Sequence, residues 1–179
     1  MITGPSGVGK GTLIAALRRE IPELELSVSA TTRAPREGEV AGRDYHFLDA
    51  AEFARRVERG DFLEHATYSG NRYGTLRSEV EERLARGAPV VLEIEVQGAR
   101  QVRASMPEAA QIFIAPPDPA DLRRRLEARG TDGDEVIDAR LEVAADELAA
   151  RREFPFTVVN DEIERASAEL ASIVRAESA

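Results

Sequence analysis

Gly4-Pro5-Ser6-Gly7-Val8-Gly9-Lys10-Gly11-Thr12 runs directly into the helical stretch Leu13 to Ile21. A glycine-rich turn opening a helix can wrap backbone N–H groups around phosphate oxygens, while the helix N-terminus adds its partial positive charge. The G-x-x-x-x-G-K spacing predicts a P-loop, with Lys10 reaching the β- and γ-phosphates of a nucleotide. Position 11 holds glycine where the strict pattern has a Mg²⁺-ligating Ser or Thr, so Thr12 is the nearest hydroxyl. The strand expected before the loop is reduced to Met1-Ile2-Thr3, which leaves open whether the native chain starts further upstream.

Working outward, Lys10 is the sole lysine, since 23 of the 24 basic residues are arginine. A compact ammonium on a flexible stem fits where a planar guanidinium would not, and that gives a chemical reason for lysine to persist at this position. With 179 residues and 42% hydrophobic content, the chain matches one domain able to bury its own core. The absence of cysteine excludes a disulfide framework and a thiol nucleophile, and cytoplasm is the expected compartment. A net charge of −9 argues against a general affinity for nucleic acid or anionic membranes. No apolar run reaches the roughly 20 residues that span a bilayer. Anionic partners are therefore expected to be small and locally bound.

Apolar runs alternate with amphipathic ones, which predicts an α/β fold with a mostly parallel sheet flanked by helices. Strands are expected at Leu26–Ser29, Val90–Val96, Gln111–Ala115 and Phe156–Val159. Asp49 with Glu52 forms a capping box for a helix closed by Gly60. Thr75 to Arg86 reads as a helix stopped by Gly87. Asp118-Pro119 supplies a cap and an N1 proline for a helix running to Arg129 and ended by Gly130. Longer helices are expected from Asp134 to Arg152 and onward from Glu162, the last packing Leu170, Ile173 and Val174 on the core. Residues 31 to 75 hold all three tyrosines and both histidines, the signature of a polar, ligand-binding insert.

GPSGVGKGT, SVSATTRAPREGEVAGRDYHF, FLEHATYSGNRYGT, VVLEIEVQG, IFIAPP, RRLEARGTDGDEVIDARL and VVND occur in this order along the chain. In these motifs the chain resembles the guanylate kinases over essentially its whole length. The resemblance implies a P-loop core (about 1–29, 76–118 and 150–179), a GMP-binding insert (about 30–75) and a helical lid (about 119–149). It implies ATP-dependent phosphorylation of GMP, and of dGMP, in purine nucleotide metabolism. ATP would be held by Gly4 to Thr12 and by Asn160, the latter near adenine. The GMP phosphate would be bound by Arg33, Arg36, Tyr45 and Tyr73, with Glu39 nearby. Paired guanidinium forks and two phenol hydroxyls suit a doubly charged monophosphate.

Guanine's Watson–Crick edge offers two adjacent donors and one carbonyl, so a carboxylate plus a hydroxyl complements it, whereas adenine would set an acceptor against the carboxylate. The resemblance assigns Glu64 to the donors, with Ser29 and Thr75 near the carbonyl. Glu93 and Glu95 stand where the family usually carries Asp-x-Asp; Glu95 is expected at GMP, and both are candidates for water-mediated Mg²⁺ contact. Arg125, Arg129 and Arg140 match the lid arginines that close on the transferring phosphoryl. His46 and His65 lack metal-ligand spacing. Two other readings are a P-loop kinase with another phosphorylated acceptor, such as a ribose bisphosphate, and a non-catalytic phosphopeptide-binding module of the same fold.

Overall fold

The computed structural model describes residues 1–68, 70–130 and 133–178, with Arg129 given by its backbone alone. The chain divides into two compact units. The first comprises Met1–Pro22, Glu93–Val96 and Ala110–Ala179, and the second Glu23–Leu92 and Gln97–Ala109.

In chain order the elements are β1 (Ile2–Thr3), α1 (Lys10–Glu20), β2 (Glu25–Leu26), β3 (Ala30–Thr31), β4 (His46–Phe47), α2 (Ala50–Glu58), β5 (Phe62–Tyr68), β6 (Asn71–Leu76), α3 (Arg77–Ala85), β7 (Val90–Val91), α4 (Val96–Ser105), β8 (Ile112–Ala115), α5 (Ala120–Arg129), α6 (Asp134–Ala149), β9 (Phe156–Val159) and α7 (Ile163–Glu177). A 3₁₀ turn, Ala150–Glu153, joins α6 to β9. Among the described residues no helix is long and apolar enough to cross a membrane.

The first unit is built on a parallel sheet in the order β1-β8-β9, with Ile2 opposite Ile112 and Ile112 opposite Phe156. All four residues of β8 are buried, as a strand covered on both faces requires. Helix α1 buries Leu13, Ile14 and Leu17 and packs against α7, which buries Ala166, Leu170 and Ala171. Burial of each such leucine is worth roughly 1.5–3 kcal/mol. Helices α5 and α6 pack together.

The second unit holds a two-stranded parallel sheet, β2-β7, and a four-stranded mixed sheet, β4-β3-β6-β5. Ala30, Phe53, Phe62 and Leu76 form a core in it, with Leu48 and Val57 packed alongside and the Phe53 and Phe62 rings stacked at 4.5 Å.

Several boundaries differ from the sequence reading, each for a local reason. The run Leu26–Ser29 stops pairing early because the Val28 N–H is taken by Glu79 Oε1 at 3.1 Å, and the chain re-enters a sheet at Ala30. The expected strand Val90–Val96 ends at Val91; Glu93 adds one isolated bridge to Ile2, and α4 begins at Val96. Thr75 and Leu76 close the antiparallel β5–β6 pair, so α3 starts at Arg77. That pair makes the second unit's larger sheet only partly parallel. At α2, Asp49 accepts the Glu52 N–H at 2.7 Å as expected, while the Glu52 carboxylate engages Arg55 and Arg56. Pro119 occupies the N-cap of α5, one position before N1, and Asp118 Oδ1 accepts the Ala120 N–H.

Candidate active site

The first unit carries the glycine loop between β1 and α1. Gly4, Gly7 and Gly9 all have positive φ, and a Cβ on Gly4 would stand 2.3 Å from the Ile114 carbonyl oxygen, so this turn admits no side chain. Gly9 is the α1 N-cap in the left-handed region, and α1 has no acidic residue in its first turn. The first turn therefore brings no carboxylate of its own to the positive end of the helix. Lys10, its first residue, donates from Nζ to the Gly4 carbonyl at 2.5 Å and to the Pro5 carbonyl at 3.4 Å. Val8 is fully buried, whereas Gly11 has open space around it and Thr12 is exposed on the first turn.

The loop is held from behind. The Val8 carbonyl accepts Asn160 Nδ2 at 2.7 Å and Arg125 Nη1 at 3.0 Å, and Arg125 Nη2 reaches the Asn160 carbonyl at 2.7 Å. Asn160 itself is buried, following β9. Glu147, at the end of α6, is buried, and desolvation, reinforced by the Glu95 charge, pushes its pKa up to about 7. Arg140 lies half-buried on α6, and the side chain of Arg129 lies outside the described residues. Glu93 and Glu95 are exposed after β7. Desolvation raises the Glu93 carboxyl although the residue is open on one side, and the Lys10 ammonium pulls it the other way.

The second unit gathers Ser29, Arg33, Arg36, Glu39, Tyr45, Glu64, Tyr73 and Thr75, while Glu95 belongs to the first. Arg33 Nη2 meets Glu39 Oε1 at 2.7 Å, and the Arg36 N–H donates to Glu39 Oε2 at 2.7 Å. The Arg33 guanidinium, seconded by that N–H, holds the Glu39 carboxyl below its ordinary range. Arg33 also stands over the Tyr45 ring at 5.3 Å, and the Tyr45 and Tyr73 rings meet edge to face at 6.2 Å. Both phenols are thereby set beside a guanidinium already engaged with an anion. His46 faces Glu79 at 3.3 Å and donates its backbone N–H to the Ser29 carbonyl at 2.9 Å. His65 is exposed.

Glu64 and Thr75 are paired across the β5–β6 ladder. Thr75 Oγ1 donates to Glu64 Oε1 at 2.7 Å, with Thr75 fully buried and Glu64 only 6% exposed. A buried carboxylate is stable only with donors aimed at it, and this one has a fixed hydroxyl. Gly98 on α4 sits against its other oxygen: a Cβ there would lie 2.7 Å from Glu64 Oε2.

The guanylate kinase family model matches residues 1–177. The chain belongs to the guanylate kinase family. It is 55% identical to the guanylate kinase of Synechococcus sp. (strain CC9311) over 95% of this chain and 90% of that protein. It is 53% identical to that of Frankia casuarinae over 97% of this chain and 95% of that protein. The crystal structure of a guanylate kinase from Anaplasma phagocytophilum superposes with a TM-score of 0.76 at 35% identity, covering 99% of this chain and 85% of that one. Two residues carried no signal in sequence: Gly98, quoted only as the end of VVLEIEVQG, which in the second unit sits against Glu64, and in the first unit Glu147, a buried glutamate on a helix.

Proposed function

We propose that the chain transfers the γ-phosphoryl group of ATP to GMP, and to dGMP, giving ADP and GDP or dGDP. An oxygen of the acceptor monophosphate bonds to the γ-phosphorus while the bond to the β–γ bridging oxygen breaks, and that oxygen leaves with ADP. Such transfer depends on positioning and on compensating the charge spread over the transferred group.

The observation that carries the reading is the buried Glu64–Thr75 pair. Glu64 accepts the two guanine donors; Thr75, donating to Glu64, fixes the carboxylate and leaves Ser29 to serve the guanine carbonyl. Adenine would strand Glu64 against an acceptor. Arg33, Arg36, Tyr45 and Tyr73 bind the acceptor phosphate, which takes the place that the Glu39 carboxylate holds against Arg33. In the first unit, Gly4 to Thr12 receive the ATP phosphates. Lys10 exchanges the carbonyls of Gly4 and Pro5 for phosphate oxygens, and Asn160 borders the adenine. Arg129 and Arg140, in the lid segment of about 119–149, meet the transferring group and exclude water, and Arg125 joins them by giving up the Val8 and Asn160 carbonyls that it holds here. The insert of about 30–75 is the acceptor subdomain.

The family works with a divalent metal, and the oxygen donors of the first unit suit Mg²⁺. Thr12, Glu93 and Glu95 are hard ligands, and Mg²⁺ takes one or two such groups beside substrate phosphates and water. Thr12, or Glu93 and Glu95 through water, would hold the ion, which would neutralise charge on the phosphates. The compartment we propose is the cytoplasm, a reading that the absence of cysteine supports, and the partners are nucleotides.

Titration calorimetry of Glu64→Gln tests the base assignment. GMP affinity should fall by about 100-fold or more, with ATP affinity unchanged. Equal losses for both nucleotides would remove Glu64 from that role.

A further inference from the structure

Among the described residues, β5, the strand that carries Glu64, ends the order β4-β3-β6-β5 and so has one edge without a neighbouring strand. Backbone groups on such an edge need partners of another kind. Gln101, half-buried on α4, supplies them. Its Nε2 donates to the His65 carbonyl at 2.8 Å, and its Oε1 accepts the His65 N–H at 3.0 Å. One primary amide thus takes both backbone groups of a single residue, as the peptides of an adjacent strand would, and that residue directly follows Glu64.

The ladder on the other side of β5 is irregular at the same place. Its register shifts between Phe62, opposite Leu76, and Glu64, opposite Thr75. A shift of this kind loosens a strand from its ladder and re-aims the side chain that follows. Gln101 comes three residues after Gly98 and shares its face of α4, and Gly98 is the residue whose Cβ would stand 2.7 Å from Glu64 Oε2. The helix therefore meets β5 twice, at the carboxylate through Gly98 and at the adjoining backbone through Gln101. The Ser105 hydroxyl, four residues further on, lies 3.3 Å from the Leu63 carbonyl on the other side of Glu64, and 3.1 Å from the Gln101 carbonyl. Ala99 and Val102 of α4 are fully buried, which gives the amide a fixed base.

We propose that Gln101 is a positioning residue for guanine selection: by pairing with both backbone groups of His65 it fixes the irregular edge strand so that the Glu64 carboxylate meets the two guanine donors. The inference rests on reading Glu64 as the guanine-binding group. Gln101 touches no nucleotide. It sets the carboxylate in place before the base arrives, so that less of the binding free energy goes into ordering it. A glutamate at position 101 would not serve, because its carboxylate would set an acceptor against the His65 carbonyl.

Steady-state kinetics with GMP and inosine monophosphate as acceptors, and with ATP varied separately, tests the role. Inosine monophosphate keeps the ring N–H of guanine and lacks the exocyclic amine, so it offers Glu64 one donor instead of two. Gln101→Met keeps the length but neither hydrogen bond, and Gln101→Glu keeps only the acceptor for the His65 N–H. Each should raise the KM for GMP by about tenfold, leave the KM for ATP within about twofold, and narrow the kcat/KM ratio of GMP over inosine monophosphate by at least about threefold. A residue that merely docked helix on sheet would lower the melting temperature and leave that ratio alone. The inference is overturned if the ratio is native in both variants, or if the KM for ATP rises as much as that for GMP. Glu64→Gln, measured alongside, keeps the two readings apart. If it leaves the ratio native, the guanine assignment of Glu64 itself fails; if its ratio collapses while both Gln101 variants keep theirs, the positioning role alone fails.

Discussion

A Cβ on Gly98 would stand 2.7 Å from Glu64 Oε2 and 3.2 Å from its carboxyl carbon. The atoms in the way belong to the end of a flexible side chain, so Gly98→Ala is expected to fold with little loss of stability but to displace the carboxylate. Its KM for GMP should rise by roughly tenfold while its KM for ATP stays put, since a shifted hydrogen-bonding group loses on the order of 1–2 kcal/mol. Kinetics showing an unchanged GMP KM would place Glu64 elsewhere. Glu147 gives a prediction in pH. Its folded pKa, pushed up to about 7, lies above the ordinary glutamate value. A carboxyl of this kind contributes stability that is fully present below the unfolded pKa and is lost as pH rises through the folded one. Glu147→Gln cannot ionise, so its melting temperature relative to the native chain should climb between about pH 5 and about pH 8. Thermal unfolding at the two ends measures it, and a flat or falling difference contradicts the burial argument.

Among the elements, those with their signals in one short stretch were legible. The α2 start was readable from Asp49 and the α5 end from Gly130, whose φ of 64° closes the helix in the left-handed region. β9 matched its apolar run, Phe156–Val159. The β5–β6 pair was not readable, because Phe62–Tyr68 mixes Glu64 and His65 into its apolar positions and gains its register only from Asn71–Leu76. α4 was hidden for the opposite reason. Glu93 and Glu95 alternate with Leu92, Ile94 and Val96, which extends a strand pattern past the point where the ladder stops. The packing of α2 on β5 is open to test. Phe53 is fully buried and stacked on Phe62, two residues before Glu64. Phe53→Ala should cost about 3–5 kcal/mol in urea unfolding. A loss below about 1 kcal/mol would mean that this core does not support the strand carrying Glu64.

Across the whole molecule, the site was legible where its residues are neighbours in sequence and obscure where folding brings them together. The phosphate loop is contiguous from Gly4 to Thr12, so its chemistry could be read directly. The lid arginines were named by motif, yet Arg125 turns out to fasten the loop through the Val8 and Asn160 carbonyls, a contact 117 and 35 residues distant. Glu147 is buried, although an isolated helix glutamate ordinarily reads as solvated. What unites these residues is one claim: the chain passes phosphate from ATP to a guanine monophosphate. The most direct measurement is ADP release from ATP with GMP, dGMP, AMP, CMP and a ribose bisphosphate offered separately at equal concentration. GMP and dGMP should turn over at least about 100-fold faster than AMP or CMP. Comparable turnover with AMP, a preference for the sugar, or no ADP release with GMP would contradict the account.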